Sequence, residues 1–209
     1  MVSIYAQTDK LMLKHLIGEA ENGYYATAVS LCTVWCFILS AVIDSVYPSI
    51  MEAQKTQNEP LFRKRNVQLY AIVFYLSAFV SLCFTVFAKP IILILYGESY
   101  LPAAAPLRII TWYTAFSYLG VARDAWVVAK NRQKYLFRIY ATSALANVVL
   151  NYLLIPSMGA SGAAIASLVA QVFTTLVVPF FIPEMRENSM LMVDAILLKG
   201  ILWNKTKEN

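Results

Sequence analysis

The sequence predicts an all-α protein, a polytopic membrane helix bundle, and three observations carry that reading. The chain of 209 residues is 59% hydrophobic and only 14% charged, with a mean hydropathy of +0.60. That leaves too little polar surface to wrap a water-soluble globule of this size. Its apolar residues fall into runs of about 20 or more, the length a helix needs to cross the hydrocarbon core. Its basic residues gather between those runs, the arrangement that orients helices in a bilayer. The same clustering accounts for a net charge of +5 without nucleic acid.

In chain order, Val2 to Ile17 is apolar on one side and interrupted by Gln7, Thr8, Asp9 and Lys10. It is short for a span and reads as the end of a helix truncated at Met1. Five full spans follow, at Tyr24 to Pro48, Val67 to Ala88, Leu107 to Ala129, Tyr135 to Ile155 and Ala160 to Ile182, each bounded by charge, proline or glycine. Pro90 to Tyr96 is apolar but too short to cross, and Pro90, Gly97, Pro102 and Pro106 predict an interfacial turn followed by a bend. Met190 to Trp203 alternates apolar residues with Asp194 and Lys199, the pattern of a C-terminal helix lying at the interface. The chain thus divides into a transmembrane helical half-bundle, 1–183, and a cytoplasmic or interfacial tail, 184–209.

Short cytoplasmic loops carry the excess of Lys and Arg. Lys55, Arg63, Lys64 and Arg65 follow the first span, and Lys130, Arg132, Lys134 and Arg138 follow the third, so both loops are expected inside. The cation-poor connections Lys89 to Pro106 and Pro156 to Gly159 are expected outside. No secretory signal peptide opens the sequence, so insertion is expected to use the spans themselves.

Ionisable groups within spans are costly and are the first functional candidates. Asp9 and Lys10 read either as a locally neutralised pair, with the lysine snorkelling, or as lining of a cavity. Asp44 sits late in the first span. Arg123 and Asp124 sit late in the third, where the planar guanidinium fork suits phosphate oxygens; the alternative is an Arg123–Asp44 salt bridge between spans. Tyr113, Ser117, Gly120 and Asp124 share one face of the third span, and Ser143, Asn147 and Asn151 one face of the fourth. Such stripes either line a hydrophilic cavity or bond helices together, and the second reading is favoured. Gly162, Ala166 and Ala170, beside Gly159, Ala163 and Ser167, form small-residue ridges that signal close packing.

Catalysis finds no support. No nucleophile with a base, phosphate-binding glycine loop or catalytic carboxylate pair is present, so the chain reads as a non-enzyme without a cofactor. His15 lacks partners at metal-ligand spacing, and no metal is expected. Cys32, Cys36 and Cys83 lie in apolar runs and read as small hydrophobes.

Several phrases, in order, resemble the carboxy-terminal half of bacterial O-antigen and polysaccharide repeat-unit flippases of the multidrug, oligosaccharidyl-lipid and polysaccharide exporter superfamily. They are Thr8-Asp9-Lys10-Leu11-Met12, Gly23-Tyr24-Tyr25-Ala26-Thr27-Ala28, Tyr47-Pro48-Ser49-Ile50 and Leu95-Tyr96-Gly97-Glu98-Ser99-Tyr100-Leu101-Pro102-Ala103-Ala104. Asn147-Val148-Val149-Leu150-Asn151-Tyr152-Leu153-Leu154-Ile155-Pro156, continued by Gly159 to Ser167, is the most telling. The resemblance implies a multi-pass protein of the bacterial inner membrane that moves undecaprenyl-diphosphate-linked oligosaccharide between leaflets. It also implies two related helical halves around a cationic cavity, of which one is represented here, so the other half or a second copy is the expected partner. Arg123, Asp124, Asp44, Asp9 and Lys10 are then the candidate substrate-binding residues, with Arg123 foremost for the diphosphate. A cation-coupled drug antiporter of the same superfamily, with Asp9 or Asp44 as coupling carboxylate, and a non-transporting remnant are the alternatives.

Overall fold

The computed structural model describes residues 2–199, and its regular structure is entirely helical. In order come α1 (Val2–Leu16), α2 (Glu19–Val34), α3 (Cys36–Lys55), α4 (Glu59–Tyr96), α5 (Ala104–Ala129), α6 (Lys134–Val172) and α7 (Arg186–Ile196). Three stretches, Glu19–Lys55, Glu59–Tyr96 and Lys134–Phe181, are long and apolar enough to cross a membrane. The first joins α2 to α3 through Trp35, which keeps right-handed dihedrals (φ −88°, ψ −10°).

The third stretch doubles back at Gly159, whose backbone (φ 54°, ψ −133°) interrupts α6. Asn147 donates to Ser167 at 3.2 Å and Ser143 to the Ala170 carbonyl at 3.4 Å. Each bond pairs positions on either side of the turn, so residues 134–158 and 160–172 are antiparallel arms, as the expected connection at Pro156 to Gly159 requires. The second arm begins under a cap from another helix. Glu21 of α2 accepts the Ala160 N–H at 2.7 Å, placing a carboxylate on the unpaired amides and positive dipole end of that arm. The arm ends in a wider π turn, Phe173–Val177, and a 3₁₀ turn, Val178–Phe181.

The expected interfacial turn at Pro90 to Tyr96 is helical but not separate from the second span, and the expected bend follows it at Gly97. α4 continues through Pro90 to Tyr96 and stops at Gly97 (φ 80°). A proline removes one helical hydrogen bond, but the chain on either side still gains by staying helical in an apolar setting. Ile92 is fully buried just beyond it, and Gly97 accepts the positive φ that ends the helix. At 38 residues, α4 is about 57 Å long, more than the hydrocarbon core alone demands. Its outer face is apolar, with Phe79 66% and Ile94 81% exposed.

Helix α5 occupies the centre, packed against α2, α3, α4 and α6. It carries Arg108, Arg123 and Asp124 and is not among the three most apolar stretches. Protein surrounds it on most sides: Leu107, Ile110, Ala115, Leu119, Ala122 and Trp126 are all buried. Two apolar clusters run across the bundle. One gathers Leu13, Tyr25, Ile92, Leu107 and Ile155; the other gathers Ile50, Phe62, Leu119, Trp126, Ile139 and Met192. Between them lies a buried polar layer that includes Ser77, Ser81, Thr114, Ser117, Ser143, Asn147, Ser167 and Thr174.

The two basic loops meet at one end. Lys130 pairs with Glu59 at 2.6 Å and lies over the Phe62 ring at 4.8 Å. The connections around Gly18, Gly97 and Gly159 meet at the other, where Tyr24 packs edge-on against Tyr100 and Glu21 caps Ala160. Helix α7 starts four residues before the expected Met190. It packs on α4 through Asn188 to the Tyr70 hydroxyl (2.5 Å), the Tyr75 hydroxyl to the Ile196 carbonyl (2.7 Å) and Arg63 to Asp194 (2.7 Å). The remainder of the expected tail helix, from residue 200 and including Trp203, lies outside the described residues.

Candidate functional site

Asp9 is fully buried on α1, where an ionised carboxylate survives only if its oxygens are satisfied. Three neighbouring segments do this. The Tyr25 hydroxyl of α2 donates to Oδ2 at 2.5 Å, and the Asn151 and Asn147 amides of the first arm of α6 donate to Oδ1 at 2.5 and 3.2 Å. The Ser167 hydroxyl of the second arm donates to Oδ2. Asn147 and Asn151 are four residues apart and so share one face of their arm, and Ser167 faces them because the chain reverses at Gly159. Every donor is neutral. Lys10, half-buried next in sequence, forms no ion pair with Asp9, so of the alternatives the locally neutralised pair is not what the carboxylate adopts.

Asp9 borders a cavity of about 170 Å³ between α2, α3, α5 and the second arm of α6, whose polar lining includes Tyr25, Thr33, Ser40, Thr114, Ser117 and Ser167. Cys32 and Cys36 also line it as free thiols, and Cys36 donates to the Cys32 carbonyl at 3.2 Å. Hydroxyls, an acidic oxygen and apolar walls suit a small polar or cationic guest. No cluster of three or more His, Cys, Asp or Glu occurs among the described residues.

A second polar group lies nearer the basic loops. Arg123 is 1% exposed; its Nη2 donates to the Tyr140 hydroxyl at 3.3 Å and sits 3.9 Å from Asp124, while its carbon lies 5.7 Å from the Tyr140 ring centre. Tyr140 in turn donates to Asp124 at 3.4 Å. The Nε and Nη1 groups of Arg123 have no hydrogen-bond partner among the described residues, so the guanidinium is buried but incompletely satisfied. The alternative Arg123–Asp44 bridge is absent. Asp44 is exposed on α3, and Asp124 takes its place beside the arginine.

The structure therefore separates the sequence candidates. Asp9 sits at a converging network, Arg123 and Asp124 form a second group, and Lys10 and Asp44 join neither. The polar stripe on the first arm of α6 serves interhelical bonding, as favoured, while Ser117 on α5 also faces the cavity. Tyr25, Asn147, Asn151 and Ser167 were not among the sequence candidates. The signal for the asparagines was available, since two amides four residues apart in an apolar span need partners. Ser167 lies on the small-residue ridge with Gly159 and Ala163, whose spacing signals close packing and nothing more.

Fold and site together define a helical protein with membrane-length apolar stretches enclosing a buried acidic network. A model of the polysaccharide biosynthesis protein family matches residues 1–105, half of the 209-residue chain. The chain belongs to this family, which is of the flippase type. The matched part includes Asp9 and Tyr25; Arg123, Asn147, Asn151 and Ser167 lie beyond it. No curated protein and no solved structure matches the chain.

Proposed function

We propose that this chain is one helical half of a transporter that moves undecaprenyl-diphosphate-linked oligosaccharide units across the bacterial inner membrane. In this reading it crosses the bilayer five times, through α2–α3, α4, α5 and the two arms of α6, with both basic loops and α7 on the cytoplasmic side. The observation that carries the proposal is the hydroxyl-lined cavity beside Asp9, inside an apolar bundle of a polysaccharide biosynthesis family. An acidic network with no catalytic partner among the described residues favours moving a substrate over transforming it. A second copy or a separate helical half supplies the facing wall, and rocking of the two halves alternates access.

Arg123 is the diphosphate contact in this scheme. Its two unpartnered nitrogens favour an added acceptor, and a change in packing around Tyr140 is needed to bring it to the cavity. Asp9 takes the coupling role. A carboxylate held only by neutral donors can offer its charge to an entering proton or monovalent cation, and the exposed Asp44 has no such setting.

The test is complementation of a strain lacking its own repeat-unit flippase, scored as surface polysaccharide, with a verified membrane level of each variant. The wild-type chain is expressed alone and with a facing half. Restoration by either supports transport, and Arg123→Ala should then abolish it. If surface sugar stays absent in both while sensitivity to cationic drugs falls in an Asp9-dependent way, the cation-coupled drug antiporter is the better reading.

A further inference from the structure

The basic end of the bundle holds a cleft that neither polar network uses. It is a cavity of about 450 Å³ between the start of α6 and the segment leading to α7, lined by Lys134, Tyr135, Arg138, Phe181, Ile182 and Glu184. Lys134 and Arg138 are four residues apart and share one face of the first turns of α6. Four other cations near this end are already engaged. Lys130 pairs with Glu59, Arg63 with Asp194, Arg186 donates to the Phe180 carbonyl at 2.9 Å, and Arg132 lies over the Trp126 ring at 5.3 Å. Lys134 lies over the Tyr135 ring at 5.1 Å, a contact that leaves its ammonium free to take an anion as well. The Arg138 side chain has no hydrogen bond or ion pair among the described residues. Glu184 is the one carboxylate in the lining; it is exposed, and the Tyr135 hydroxyl holds it below the usual glutamate range. Phe181, 76% exposed, and Ile182 supply an apolar wall on the side where acyl chains would lie.

We infer that this cleft binds the phosphate of an anionic phospholipid headgroup, with Arg138 and Lys134 on the phosphate and Phe181 against the acyl chain. A guanidinium with open donors, an adjacent ammonium and an apolar wall at the end of a membrane-length helix match that ligand in both charge and shape. The inference rests on the membrane embedding proposed above but not on transport.

The test uses the full chain purified in detergent and titrated with phosphatidylglycerol, phosphatidylcholine or undecaprenyl diphosphate, with binding read by native mass spectrometry. The variant Lys134→Ala/Arg138→Ala should weaken phosphatidylglycerol binding about thirtyfold, the scale of two basic side chains near an anionic headgroup. Lys64→Ala/Arg65→Ala removes the same charge elsewhere on the basic end and should leave binding nearly unchanged. Equal weakening by both pairs, or by neither, overturns the site. Binding of undecaprenyl diphosphate that phosphatidylglycerol cannot displace would overturn the phospholipid assignment in favour of the transported lipid. Arg138→Gln alone is the backup should the double variant fail to purify, and it should weaken binding in the same direction. A chain that binds phosphatidylglycerol here yet never restores surface sugar would refute transport and leave the headgroup site standing.

Discussion

Within an apolar bundle, a carboxylate without a cation beside it depends on its hydrogen-bond donors one by one. Asp9 has four, and Asn151 at 2.5 Å is among the shortest. Asn151→Ala should lower stability by about 2 kcal/mol, the scale of a lost buried hydrogen bond to a charged group. Thermal unfolding in detergent measures this directly. In the Asp9→Asn background the same alanine should cost clearly less, and equal losses in both backgrounds would show that the two residues do not act together. Glu184, outside the spans, gives a second residue-scale prediction. The Tyr135 hydroxyl, then the residue's own backbone N–H, with smaller help from Lys134 and Arg132, holds its carboxyl below the usual glutamate range. A depressed folded value means that this contribution to stability is present above the ordinary glutamate pKa and fades as pH falls through the lowered one. A carboxyl-selective NMR titration should find the value returning toward normal in Tyr135→Phe.

At the level of elements, the doubled α6 depends on two glycines for different reasons. Gly159 adopts φ 54° beside Glu21, so an added Cβ is strained by the backbone and crowds the carboxylate that caps Ala160. Gly162 has ordinary helical dihedrals, but a Cβ there would lie 2.5 Å from the Leu154 carbonyl oxygen, a backbone atom that cannot swing aside. Gly162→Ala should therefore cost about 1–3 kcal/mol by overpacking. Glu21→Ala, which removes the cap without crowding, should cost about 1 kcal/mol. Thermal melts of the two variants should rank Gly162→Ala as the less stable, and the opposite ranking would mean that the arms can separate without penalty. The sequence marked the reversal through Pro156 and Gly159, but not its cap, because Glu21 lies 139 residues away from Ala160 along the chain.

Across the whole molecule, charge separates by end. Lys130 and Glu59 join the two basic loops, yet Glu59 is 61% exposed, so Glu59→Ala should change stability by less than about 1 kcal/mol. Asp9→Asn, by contrast, should leave a folded bundle while abolishing any dependence of transport on a proton or sodium gradient. Uptake into vesicles under imposed gradients distinguishes that outcome from simple unfolding, which would also remove the protein from the membrane fraction.

What the sequence determined by itself is what depends on local order and composition. Helical content, long apolar runs, the position of the α6 reversal and the clustering of basic residues follow from residue type and spacing, because a helix in an apolar medium satisfies its own backbone. Asp9 and Arg123 were legible as costly charges within apolar segments. Their partners were not. Asp9 meets Asn147, Asn151 and Ser167 only because α1 docks against both arms of α6, and Arg123 takes Asp124 and Tyr140, not Asp44, because α3 turns that carboxylate outward. The continuation of α4 past Pro90 was likewise decided by burial of Ile92. Side-chain pairing between distant segments depends on which faces the packed helices present to one another, and only the tertiary structure settles that.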